Sequence, residues 1–126
     1  MPHVILEGPV TLADVVRRHE PFVTREEDLL VKTERLYVDT HGRAALLETL
    51  VVDRGHTQKF FILLEERPGG LMVRLEPLTD PEKSPGVKRA LGIVAHRIRE
   101  VTGCRFGSTN IAGSLSVPAG TGRGTV

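Results

Sequence analysis

Four apolar-rich segments separated by short turn signals occupy the middle of the chain, and they limit its fold more than any other feature. The turns between them contain glycine and are only two to four residues long. Connections of that length join antiparallel neighbours, because a parallel crossover needs a dozen or more residues. We therefore predict a four-stranded antiparallel meander with strands at residues 30–39, 44–53, 57–66 and 71–78.

The third of these segments is apolar on both of its faces. Phe60, Ile62 and Leu64 share one face, whereas Phe61 and Leu63 lie on the opposite face. A strand of this kind needs cover on both sides, and a single helix covers only one. We therefore predict that a second copy of the chain covers the other face, which makes the protein a homo-oligomer and most simply a homodimer.

A long amphipathic helix follows the meander. Ser84 suits the N-cap, Pro85 suits the first helical position, and Gly103 suits the end of a helix. Between these signals, apolar residues recur at spacings of three and four and form one stripe, which we expect to dock on the sheet. The stripe consists of Val87, Ala90, Leu91, Val94, Ile98 and Val101.

The N-terminal third adds smaller elements. Residues 3–6 read as a short strand, and Thr11 opens a helix that Pro21 ends. Residues 24–27 have the form of a capping box, which suits one further helical turn before Leu29. The predicted fold class is thus α+β, in the order β-α-β-β-β-β-α. It has two layers, with the long helix packed on a four-stranded meander.

The composition changes after Phe106, where glycine, serine and threonine dominate. We predict a single α+β domain at residues 1–106 and a Gly/Ser-rich tail at residues 107–126. An alternating stretch around Leu115 and Val117 could add a strand to a sheet edge. That strand would lie within the molecule or across a subunit interface, so the tail is ordered by packing or by a partner subunit.

Charge is unevenly distributed along the chain. Residues 1–82 carry a net charge of −5, whereas residues 83–126 carry +6. The excess centres on the long helix, whose free N-terminal amides also favour anions. We predict an anion-binding site there and expect the basic face to be exposed around Gly92; the alternative is a capped surface helix with solvated cations. The candidate residues are Lys83, Ser84, Gly86, Lys88, Arg89 and Arg99.

No motif in the sequence specifies catalysis, a metal or a cofactor. The five histidines have no metal-ligand spacing, and the single Cys104 has only Arg105 beside it to lower its pKa. We therefore expect no catalytic residue, no metal and no cofactor. An enzyme remains an alternative only if its site is assembled by the fold.

Three functional hypotheses follow from these observations. The first is a non-enzymatic homo-oligomeric binding or interaction domain. The second is binding of an anion, a phosphate ligand, an acidic protein surface or nucleic acid through the basic helix, and the third is an enzyme. One cysteine, few asparagine and glutamine residues and no long apolar run indicate a soluble cytoplasmic protein of a heat-loving organism with no membrane partner.

Overall fold

The computed structural model describes residues 1–118. Seven strands and two α-helices follow in the order β1 (His3–Glu7), α1 (Leu12–Arg17), β2 (Val23–Glu26), β3 (Leu29–Val38), β4 (Ala44–Asp53), β5 (His56–Arg67), β6 (Gly70–Leu75), α2 (Pro85–Thr102) and β7 (Arg105–Thr109). A short 3-10 turn at Ala112–Ser114 follows β7. Of the predicted tail, residues 107–109 belong to β7, and residues 119–126 lie outside the described part of the chain.

All strands form one antiparallel sheet in the order β2-β3-β4-β5-β6-β1-β7. The prediction of a four-stranded meander with the long helix packed on it is therefore wrong, because the sheet has seven strands and curls into a half-barrel. Right-handed twist accumulates over so many strands. Register shifts in β3, between Thr33 and Leu36, and in the β1–β7 pairing add to the curvature.

Three of the seven strands were not part of the predicted meander. Residues 24–29 form β2 and a tight turn to β3 rather than a helix, and Glu27 in that turn has a φ of 50°. β1 pairs with β6, and β7 pairs with β1. Both pairings join segments more than sixty positions apart in the sequence, so local sequence patterns do not reveal them.

The core lies inside the curl. Strands β4 and β5 turn every second side chain inward, as shown by the burial of Leu47, Val51, Ile62 and Leu64. Helix α2 lies against β1, β4 and β6 and has the predicted caps. Ser84 Oγ accepts from the amide of Val87, and Gly103 closes the helix with a φ of 76°.

The other side of α2 is covered by the segment after β7. Gly92 is buried, and a Cβ at this position would lie 1.9 Å from the carbonyl oxygen of Ser114. His96, also buried, bonds through Nε2 to the carbonyl of Leu115. The helix is therefore enclosed between the sheet and the C-terminal segment, which accounts for the burial of ten of its eighteen residues.

Candidate ligand-binding cavity

An apolar cavity opens between α2, α1 and the concave face of the sheet, with a volume of about 40 Å³. One water molecule needs roughly 10–15 Å³ by the same kind of measure, so the cavity exceeds the small voids of ordinary packing. Its walls are aliphatic and aromatic. They are formed by Val15, Phe22, Leu36, Leu47, Leu64, Val94, Ile98 and Val101.

Local features of the chain explain why the cavity lies where it does. The amide of Leu12, at the start of α1, donates to Glu66 Oε2 at 2.9 Å and fixes this helix against β5. After α1, Phe22 is tied to Thr33 of β3 by two hydrogen bonds, of 2.9 and 3.2 Å. These anchors hold α1 and Phe22 beside the end of α2 without filling the space between them.

The irregularity in β3 shapes the opposite wall. Val31 and Thr33 face the core, and strict alternation would then turn Leu36 to the outside. The bulge between Thr33 and Leu36 inserts one residue, so that Leu36 pairs with Leu47 and joins the cavity wall. Tyr37 consequently lies on the convex face. Nothing in the hydrophobic pattern of residues 30–39 marks this shift.

The mouth of the cavity carries its charged and polar groups, namely Arg18, His19, Glu20 and Arg97. The guanidinium of Arg18 donates to the carbonyl of Val101 near the end of α2. That of Arg97 lies 5.5 Å from the centre of the Phe22 ring. Apolar walls with polar groups confined to the entrance are typical of small-molecule sites.

The ring of His19 makes one hydrogen bond among the described residues. Its Nε2 lies 2.7 Å from the carbonyl oxygen of Glu34. A carbonyl only accepts hydrogen bonds, so Nε2 carries a proton and Nδ1 of the neutral ring is left as an acceptor. The sequence analysis assigned His19 no role, because the two groups meet only when β3 curls past the end of α1.

The predicted anion-binding residues form two groups rather than one. Lys83, Ser84 and Gly86 do meet at the start of α2. However, Lys83 pairs with Asp80 at 3.1 Å, and a Cβ on Gly86 would lie 2.5 Å from Asp53 Oδ2. The positive end of the helix thus already faces a carboxylate of the same chain. Anion binding at this end stays a prediction.

The remaining candidates lie along the helix. Arg89 pairs with Glu26 at 2.6 Å, and its side chain is only 14% exposed, so its predicted exposure is wrong. Lys88 is partly exposed, and Arg99 is exposed and lies over the Phe106 ring at 5.1 Å. Gly92, which we expected on an open basic face, is covered by Ser114. The predicted basic face is therefore not one continuous surface.

Two other chemistry-bearing side chains within residues 1–118 lie apart from the cavity. Cys104 is buried, and His56 lies 3.8 Å from Glu82 at an exposed position. Within residues 1–118, no three His, Cys, Asp or Glu side chains are grouped closely enough to bind a metal ion.

The convex face of the sheet carries an apolar cluster, which consists of Tyr37, Leu46, Phe61 and Leu63. Tyr37 and Phe61 meet edge to face with ring centres 6.0 Å apart, and Tyr37 remains 44% exposed. Leu46 pairs with both Tyr37 and Leu63 across neighbouring strands. Among the described residues, neither α-helix covers this face, since both pack inside the curl.

Comparison of the chain with protein-family models, with curated proteins and with solved structures gave no match. In the described part of the chain, neither helix combines the length and the apolar character needed to cross a membrane.

Proposed function

We propose that this protein is a non-enzymatic binding protein that takes a small, mainly apolar ligand into the cavity between α2 and the curled sheet. The observation that carries this proposal is the arrangement of the cavity itself. Its walls are apolar throughout, and its charged groups stand only at the mouth. An apolar group that enters displaces water from such walls at little cost in polar contacts.

The size of the cavity limits the ligand. A volume of about 40 Å³ is well below the roughly 150 Å³ that admits benzene in an engineered cavity. The enclosed part of this space admits about one or two carbons of a narrow aliphatic chain, and the rest of a four-carbon tail would lie in the open mouth. Complete burial of four carbons would contribute about 3 kcal/mol, which is an upper limit here, so we expect dissociation constants of several millimolar or weaker for simple probes.

Nuclear magnetic resonance titration of the ¹⁵N-labelled protein with 1-butanol tests this proposal. We expect saturable shifts centred on Val94, Ile98 and Val101. Ethanol, with two fewer methylenes, should bind roughly 15-fold more weakly. Recovery of the added compound unchanged supports binding, whereas its conversion would favour the enzymatic alternative with His19 and Glu20 at the mouth.

A matched pair of variants locates the site. Val101→Phe fills the cavity and should abolish the shifts, while Val117→Phe makes the same change at a position that is 79% exposed and should leave binding intact. The proposal is overturned if 1-butanol causes no saturable shifts near α2, or if Val101→Phe binds it as well as the unmodified protein does.

A second candidate function is self-association through the convex apolar cluster, as in the first sequence-based hypothesis. The specific observation in its favour is the edge-to-face pair of Tyr37 and Phe61 on a face that neither described helix covers. Ligand binding inside the curl and dimerisation on its outer surface use opposite faces of the same strands. The two functions are therefore compatible.

A further inference from the structure

We propose that the ligand carries a carboxylate, which the two arginines at the cavity mouth, Arg18 and Arg97, bind together while the apolar tail enters the cavity. This inference rests on the proposed function and adds the chemical class of the ligand. It follows from the contacts that hold these two side chains and from the absence of a salt bridge between either of them and a carboxylate of residues 1–118.

Arg97 is held over an aromatic ring. Its guanidinium carbon lies 5.5 Å from the centre of the Phe22 ring, within the range of a cation–π contact, and such a contact does not use the N–H donors for hydrogen bonds. Among the described residues, Arg97 has no carboxylate within salt-bridge distance and makes no hydrogen bond. A half-buried guanidinium at the edge of an apolar cavity therefore keeps its donors for a group that is not part of the described chain.

Arg18 is positioned differently but offers the same chemistry. Its bond to the Val101 carbonyl ties the end of α1 to the last turn of α2 and uses only part of the guanidinium. A guanidinium has five N–H donors, so a pair that can bind both oxygens of a carboxylate remains. No carboxylate of residues 1–118 forms a salt bridge with it either.

The charges at the mouth favour an anion over a cation or a neutral head group. Two arginines face one acid, Glu20, and Nε2 of His19 already donates to the backbone carbonyl of Glu34. A carboxylate at the end of a short tail would lie beside both guanidinium groups. An ammonium group at the same place would be repelled by them.

Three probes with the same four-carbon tail separate the head group from the tail: butyrate, 1-butanol and butylamine. We expect butyrate to bind at least about tenfold more tightly than 1-butanol, as charge-assisted hydrogen bonds imply, and butylamine to bind most weakly. Acetate, which lacks the tail, should bind much more weakly than butyrate. The advantage of butyrate should shrink between 50 and 300 mM salt, because exposed charges are screened.

Arg97 and Arg99 both lie on α2, and each contacts a phenylalanine ring, so their substitutions serve as test and control. Arg97→Gln should bring the ratio of the 1-butanol and butyrate dissociation constants close to one, and the dispersion of its amide resonances shows independently that the variant is folded. Arg99 makes a similar contact with Phe106, at 5.1 Å, but does not line the cavity, so Arg99→Gln should bind all the probes as the unmodified protein does. Arg18→Gln should act like Arg97→Gln.

The remaining outcomes show whether the inference alone or the proposed function itself is wrong. If butyrate and 1-butanol bind equally, the inference is overturned while ligand binding stands. If butyrate binds but Val101→Phe does not weaken it, the anion binds elsewhere on the surface and the inference is overturned. If none of the probes binds, the proposed function itself fails.

Discussion

Gly92 owes its place on α2 to a backbone that crosses the helix. The Ser114 carbonyl occupies the position where a Cβ would stand. Glycine costs about 1 kcal/mol relative to alanine inside a helix, so a closer approach of the two backbones is the benefit that offsets this loss. The sequence analysis placed this glycine on an exposed basic face, whereas the structure covers it with the C-terminal segment.

Gly92→Ala should therefore destabilise the protein by about 1–2 kcal/mol, since the overpacking it causes exceeds the gain in helix propensity. The C-terminal segment should also lift from α2 and become sensitive to protease. Urea unfolding and limited proteolysis measure these two effects. Gly113→Ala is the control, because a Cβ there meets nothing within 4 Å. A Gly92→Ala variant as stable as the control would contradict this explanation.

The Glu26–Arg89 pair connects the edge strand β2 to α2 and to the C-terminal segment. Arg89 binds both carboxylate oxygens of Glu26, and it also donates to the carbonyls of Ser114 and Ser116. With side chains 14% and 19% exposed, the pair is shielded from water and from salt. The Glu26–Arg89 pair is therefore less exposed to solvent than surface pairs such as Asp80–Lys83.

A double-mutant cycle with Glu26→Gln and Arg89→Met should give a coupling free energy of about 1–3 kcal/mol by urea unfolding. The same cycle on Asp80 and Lys83 should give less than about 1 kcal/mol, because their side chains are 75% and 44% exposed. Similar values for the two cycles would show that burial adds nothing to the Glu26–Arg89 interaction.

At the scale of elements, α2 forms one wall of the cavity and also part of the closed core, so the two parts can be tested separately. Ile98 lines the cavity, whereas Ile93 is buried on the same helix and does not. Removing the side chain should destabilise the protein by about 2–5 kcal/mol at either position. Only the loss at Ile98 enlarges the existing cavity.

We accordingly expect Ile98→Ala to bind 1-hexanol more tightly than the unmodified protein does, and Ile93→Ala to show no such gain. Titration followed by nuclear magnetic resonance measures both, and urea unfolding confirms that the two variants lose comparable stability. Equal gains in the two variants would mean that the binding space is not the cavity described above.

At the scale of the whole molecule, the convex face determines whether the chain is a monomer or a dimer. Sedimentation velocity at micromolar concentration should show a dimer of the 13.8 kDa chain if the convex apolar cluster is an interface. Phe61→Lys should shift the protein to a monomer, since it places a charge within an apolar contact. Leu78→Lys changes an apolar residue that is 93% exposed and lies outside the cluster, so this variant should remain a dimer. A monodisperse monomer of the unmodified chain would end the self-association proposal.

Much of the local structure could be predicted from the sequence. Helix α2 runs from Pro85 to Thr102 between the predicted caps, and the hairpins from β3 to β6 turn where the glycine-containing segments lie. The candidate site, in contrast, could not be predicted from the sequence. Arg89 looked like a solvated cation because the sequence does not show that Glu26 and Ser114 meet it, and the cavity needs a bulge in β3 that no pattern marks.

The sequence by itself determined those elements whose hydrogen bonds are local, since a capped helix and a tight hairpin are closed by residues a few positions apart. Tertiary structure alone decided the rest of the sheet. β1 and β7 join it through contacts such as the bond from the His3 amide to Asn110 Oδ1, which spans 107 positions. The curl, the enclosure of α2 and the cavity all depend on such distant pairs, because their free energy comes from burial of surfaces that are brought together only by the whole chain.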